Sequence, residues 1–231
     1  MGGNPGTGGV GGDGGTGGAE PAVPTEGLEA FYNFEGDASD QSSAGNDATL
    51  GGGATANGEL VVGDNATDFL SVPSTVMDGL VDFTVTAWVR LDVLRNQSRQ
   101  LISGANAQED NALLFWYREQ TDEWLVGINN GDSAFMVDST IEDMDWHHVA
   151  LVRSGTSALL YLDGTQLGDA VTVAGDALDI DPGGLIFGQD QDEVGGGFDE
   201  GESWGGSVDN LRIYDRALSA DEVALVFAEP R

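Results

Sequence analysis

The chain has 231 residues, room for one β-sandwich of ordinary size or two small domains. Its 40 acidic residues face 8 basic ones, all arginine, and the net charge of −32 repels nucleic acid and anionic membranes while attracting cations. Without cysteine, disulfides, thiolate zinc sites and a cysteine nucleophile are excluded, and no apolar run reaches the roughly 18 residues that insertion into a membrane needs.

Taken in order, the sequence opens on a low-complexity tract. Residues 1–27 are Gly, Thr, Asn, Asp and Pro with almost no apolar side chain, too little to offset the entropy of ordering them. They are expected to form a flexible linker, and 28–231 a single domain. No apolar signal-peptide core follows Met1. A glycine-rich leash suits a module that is secreted or tethered at a cell surface, with the signal or anchor not present in this sequence.

From Leu28 onward short apolar runs alternate with turn residues. The spacing predicts strands at 28–34, 59–62, 67–72, 83–91, 100–104, 112–118, 124–128 and 134–137, and then at 170–173, 185–188 and 206–214. In 83–91 the alternation is clean: Phe83, Val85, Ala87, Val89 and Leu91 share one face, Thr84, Thr86, Trp88 and Arg90 the other. Between 145 and 164, D-W-H-H-V-A-L-V-R-S-G-T-S-A-L-L-Y-L-D-G reads as two strands joined at Ser154-Gly155-Thr156. Both are apolar on both faces, so this pair must be covered on both sides. The one helix candidate is 219–227, with Ser219 as N-cap and Glu222 at the capping-box position. Many strands and one terminal helix make an all-β, two-sheet antiparallel sandwich.

Several motifs in this order resemble a known family. They are F-Y-N-F-E-G-D-A-S-D-Q-S-S-A-G-N-D-A-T-L at 31–50, F-T-V-T-A-W-V at 83–89 and W-H-H-V-A-L-V-R at 146–153. L-Y-L-D-G at 160–164 and G-S-V-D-N-L-R-I-Y-D-R-A-L-S-A-D-E-V at 206–223 complete the set. The chain resembles laminin-G-like, concanavalin A-like jelly rolls of the bacterial, pentraxin-like type. That resemblance implies a jelly-roll sandwich with first and last strands side by side, and non-catalytic binding or adhesion modules on extracellular proteins. The partner class is then a glycan or a cell-surface protein, since one fold serves many ligands.

Residues 35–47 supply Asp37, Asp40, Ser42, Asn46 and Asp47, hard oxygen donors of the kind calcium takes. The resemblance adds Asp209, because related jelly rolls pin a calcium ion between this loop and the last long strand. Asp37, Asp40, Asn46 and Asp209 are therefore the candidate ligands of a structural Ca2+, beside the reading of an Asx-rich turn with Asp209 paired to an arginine. A second acidic loop, 189–202, starts like an EF-hand, but Val194 stands where an oxygen donor belongs. It reads as mobile and glycine-hinged, a ligand-facing lip or plain solvation.

No strand carries the alternating carboxylates of a retaining glycosidase. Glu142, Asp143 and Asp145 sit in a turn, Glu119, Asp122 and Glu123 flank another, and no enzyme is expected. His147 and His148 leave opposite faces of one strand and cannot share a metal. For sugar stacking, Trp88, Trp116, Tyr117, Trp124 and Tyr161 come from strands expected to neighbour one another. Trp116 and Tyr117 are adjacent, so one faces out if the other faces in. Trp204, within the acidic region, is the candidate for an exposed platform.

Overall fold

The structure, a computed structural model, describes residues 1–2, 22–109, 111–136 and 140–231, with only the backbone of 132–136. Period-2 alternation decides how its strands close. In β6 (Phe83–Leu91) the odd-numbered residues all enter the core between two sheets, as their spacing requires. In β11 (His147–Ser154), Val149 and Leu151 join that core, while Ala150 and Val152 belong to a second cluster on the opposite face.

The first sheet also contains β1 (Leu28–Tyr32), β3 (Thr55–Ala56), β4 (Leu60–Val62), β12 (Ser157–Leu162), β13 (Thr165–Thr172) and β15 (Gly206–Tyr214). Its order is β13-β12-β11-β6-β15-β4-β3, with β1 also on β15. The second sheet contains β2 (Thr49–Gly51), β5 (Phe69–Ser71), β7 (Ser98–Gly104), β8 (Leu113–Arg118), β9 (Glu123–Ile128), β10 (Gly131–Met136) and β14 (Leu185–Phe187), in the order β10-β9-β8-β7-β14-β5-β2. The paired strands run antiparallel, and Ala30 opposite Ile213 and Tyr32 opposite Leu211 set the first strand beside the last. This is the jelly-roll sandwich that the sequence implies.

What covers the doubly apolar strand on its outer side is a helix. Helix α1 (Ala220–Ala228) starts at the expected capping box of Ser219 and Glu222. Its Val223 and Val226 pack with Ala150, Val152, Tyr161, Tyr214 and Leu218. Phe227 lies against Trp88 and His148, with ring centroids 5.6 and 5.7 Å apart. The Asp163-Gly164 turn makes room for it: Gly164 has φ 73°, and a Cβ there would stand 2.6 Å from Phe227.

Some boundaries differ from the pattern. The short β2 and β3 carry too few residues to show a period. Strand β13 begins at Thr165 rather than 170, because its exposed residues lack apolar alternation. The strand expected at 134–137 begins at Gly131, and residue 137 lies outside the described residues. Of the expected linker, residues 3–21 also lie outside them. Its end is packed: Val23 touches the α1 cluster, Tyr214 Oη donates to the Pro24 carbonyl at 3.1 Å, and Asp215 N to the Gly27 carbonyl at 2.8 Å.

Candidate functional site

Helix α1 packs on the outer face of the first sheet, and a groove lies on the outer face of the second. Strand pairing builds it row by row. Gln100, Trp116 and Leu125 are cross-strand neighbours, as are Ser98, Arg118 and Glu123. Leu114, Trp116 and Leu125 form a small apolar patch separate from the core. Over it runs a groove of about 260 Å³, lined by Ser98, Gln100, Asn111, Leu114, Trp116, Arg118, Asp190 and Glu202. Its floor, Leu114 and Trp116, is apolar, and its walls, which make up most of the lining, are polar.

The wall formed by 189–202 is tied down rather than mobile. Gln191 is buried; its Nε2 donates to the carbonyls of Ser103 (3.1 Å) and Gly184 (2.8 Å), and its Oε1 accepts from Gly195 N (2.8 Å). Asp199 accepts from Gly201 N at 2.7 Å and caps a short turn that carries Glu202. Burial raises the Glu202 carboxyl above the ordinary carboxylate range, and the charges of Asp190, Asp192 and Asp199 add to it. On the opposite side the Arg118 guanidinium is held by Glu123 at 3.2 Å.

The candidate aromatics do not converge. Trp116 faces the groove, whereas its neighbour Tyr117 is fully buried and donates to Asp122 at 2.7 Å. Trp204 is buried too, which overturns its reading as a platform. Its backbone N–H binds the Gly188 carbonyl at 2.9 Å, which draws the ring into the core 6.2 Å from Trp124. The acidic residues before it suggested exposure; the turn into β15 reverses it. Trp88 and Tyr161 belong to the other sheet.

Nor do the four candidate calcium ligands form one shell. Asp40 Oδ1 accepts from Phe31 N (2.9 Å) and Ser42 N (2.8 Å), and Oδ2 from Ser42 Oγ (2.7 Å) and Asn46 N (2.8 Å). Those donors fill the roughly four lone-pair positions of a carboxylate, leaving none for a cation. Burial works to raise its pKa, but these bonds outweigh it and hold the group below the ordinary range. Asp37 caps Ser39 N at 2.9 Å, and Asn46 Nδ2 donates to the Glu29 carbonyl at 2.8 Å. The loop is thus a clasp onto β1. Among the described residues no group of three or more His, Asp or Glu side chains is placed to hold a metal.

Asp209 differs from the other three. It is buried at a register shift of β15, and Oδ1 accepts from Asn210 N at 2.8 Å. Its charge partner is not Arg212, which binds Glu229, but Arg231 at 3.6 Å. Burial pushes its pKa up to about 6, with Glu35 and Glu59 adding repulsion. The histidines lie on opposite faces as expected: the His147 ring spans Asp163 (2.8 Å) and Asp143 (3.0 Å), and His148 is enclosed under α1.

Sequence reasoning missed Ser98, Gln100, Asn111 and Arg118. Alternation in 98–104 and 113–118 gives the faces of Ser98, Gln100 and Arg118, which the cross-strand register brings to one side, and Asn111 stands just before β8.

Comparison with known proteins fits this architecture. Residues 64–224 match the family model of the concanavalin A-like lectin/glucanases superfamily. Human pentraxin-4 is 34% identical over 145 residues, which are 60% of this chain and 29% of that protein. Mouse neuronal pentraxin-2 is 28% identical over 147 residues, 62% of this chain and 33% of that protein. The chain thus spans about a third of the length of these curated relatives. Among solved structures, a heptameric pentraxin from Limulus polyphemus aligns with TM-score 0.59 and 25% identity, covering 66% of this chain and 72% of that one. Domain 4 of an extracellular arabinanase from Geobacillus stearothermophilus, in complex with arabinotriose, aligns with TM-score 0.65 and 18% identity over 86% of this chain and 97% of that one. Since the matched segment is well over half of the chain and the sandwich is of the same kind, the protein belongs to the concanavalin A-like lectin/glucanase superfamily, as a laminin-G-like domain with pentraxins among its relatives.

Proposed function

We propose that the chain is a non-catalytic extracellular binding module whose ligand, a glycan or another cell-surface molecule, is taken in the groove over Trp116. The observation that carries this reading is the asymmetry of the sandwich. One outer face is closed by α1, and the other offers polar walls around an apolar floor. Among the described residues no helix is long and apolar enough to cross a membrane, in keeping with a secreted or tethered module. The related fold that was solved with arabinotriose supports a saccharide as ligand class. Trp116→Leu keeps an apolar floor but removes the ring. It is expected to weaken glycan-array hits by at least roughly tenfold, the loss typical of an interface anchor, with the melting temperature little changed. Unchanged affinity would rule the groove out.

A second reading, glycoside hydrolysis, draws on Asp190 and Glu202 lining one groove, with the Glu202 carboxyl held protonated to higher pH as a general acid requires. Both come from the single loop 189–202, whereas cleavage needs carboxylates flanking the bond. Binding is favoured, and release of shorter saccharides on incubation, abolished in Glu202→Gln, would reverse that preference.

Calcium enters this reading at Asp209 alone, a buried carboxylate balanced by Arg231 at 3.6 Å, and the other oxygens would have to be backbone carbonyls or water. Added calcium is expected to raise the melting temperature by several degrees through preferential binding to the folded state. Asp209→Asn should remove the rise and Asp40→Asn should not. An equal rise in Asp209→Asn would place the ion elsewhere.

A further inference from the structure

The groove is unusual in what it leaves unpaired. Gln100 is only 3% exposed, and its Nε2 is taken up by the Ile102 carbonyl at 3.0 Å. Among the described residues no donor reaches its Oε1, and the side chain lines the groove. Glu202 lines the same space and has no ion pair among the described residues, although burial and three neighbouring aspartates all disfavour its charge. Arg118, the one cation that lines the groove among the described residues, gives one of its five N–H groups to Glu123 at 3.2 Å. Acceptors dominate this site, and acceptors are satisfied by donors. An anionic ligand would meet the oxygens of Gln100 and Glu202 and the field of a chain with net charge −32, with Arg118 alone to offset them among the groove's lining residues. A ligand bearing an ammonium group would pair with Glu202 and give an N–H to Gln100, while its ring lay along Trp116.

We propose that the groove selects a saccharide carrying a free ammonium group, an amino sugar in chemical class, and that Gln100 and Glu202 make that selection. This rests on the reading of the groove as the ligand site and adds the charge of the ligand to it. Specificity here comes from both sides: a matched cation is attracted, and a carboxylated or sulfated sugar is rejected by oxygens it cannot pair.

The test is calorimetric titration of the full chain, at physiological salt, with a glucosamine disaccharide, its N-acetylated counterpart and a uronic acid disaccharide. The amine is expected to bind at least about tenfold more tightly than the N-acetylated sugar, a gap of roughly 1.4 kcal/mol, and the uronate not at all. Glu202→Gln, which changes one charge among many, should erase the difference between the first two. Gln100→Leu should weaken the amine, with thermal melts confirming that both variants fold. Equal binding of the amine and its N-acetylated form would overturn the charge selection and leave saccharide binding standing. Binding of the amine that persists at full strength in Glu202→Gln would also overturn it, as attraction to the general field. If none of the sugars binds, both the selection and the saccharide reading fall.

Discussion

Glu119→Ala is expected to destabilise the fold by about 3–5 kcal/mol, the usual range for breaking a buried ion pair from one side. Arg99 on β7 is fully buried, and its Nε donates to Glu119. Its Nη1 reaches Asp64 at 2.9 Å, and Nη2 the Val93 carbonyl at 3.0 Å. The second oxygen of Glu119 accepts from the backbone N–H groups of Arg95 (2.8 Å), Asn96 and Gln97 (3.4 Å), which turn the chain into β7. Removing the carboxylate therefore strips the main partner from an enclosed guanidinium and leaves backbone donors unmet. Asp64 remains, but it is shared with Arg95 at 2.7 Å. Glu119→Gln keeps an acceptor and should lose distinctly less. Urea unfolding reads the difference, and a loss in Glu119→Ala below about 1 kcal/mol, the scale of an exposed pair, would mean that the network does not hold β7 in place.

How much of this was legible depends on the range of the interaction concerned. The faces of β6 and β11 follow from alternation within one strand, so the core residues Phe83, Val85, Val149 and Leu151 could be read directly. The capping box of α1 is equally local. Asp40 shows the limit. A loop rich in Asp, Ser and Asn looks alike whether its oxygens face a metal or backbone N–H groups, and the donors that saturate Asp40 are largely backbone, which no side-chain pattern reveals. Trp204 failed for a related reason: its acidic sequence neighbours are exposed or half-buried, but its own ring is set by a hydrogen bond to Gly188, a residue of another segment. The groove is the least legible feature. Trp116 could be placed facing away from Tyr117, yet Gln100 and Glu202 meet it only through strand register and the path of 189–202.

The pH dependence of stability turns on His148, the residue that α1 closes over. Its ring sits 5.5 Å from Trp88 and 5.7 Å from Phe227, and neither ring nitrogen has a hydrogen-bond partner. Burial lowers its pKa to about 4, Arg212 lowers it further, and Asp163 works weakly against both. The unfolded chain takes up this proton at about pH 6.5. Stability from the neutral ring is therefore complete above pH 6.5 and is lost as pH falls from 6.5 to about 4, by about 3 kcal/mol in all. Asp209 runs the other way. Its folded pKa of about 6 exceeds its unfolded value, so its contribution is greatest below the latter and is lost as pH rises through 6. The two nearly offset each other between pH 4 and 6, and the native profile should be shallow there. Asp209→Asn removes one side of the balance and is expected to show the full acid loss in melts across that range. His148→Phe, which preserves the aromatic contacts to Trp88 and Phe227, should instead become more stable toward pH 4. Parallel profiles for His148→Phe and the native chain would show that the helix does not seal a neutral histidine. A steep acid loss in Asp209→Asn that disappears when His148 is also replaced by Phe ties acid lability to one contact, the packing of α1 on the outer face of the first sheet.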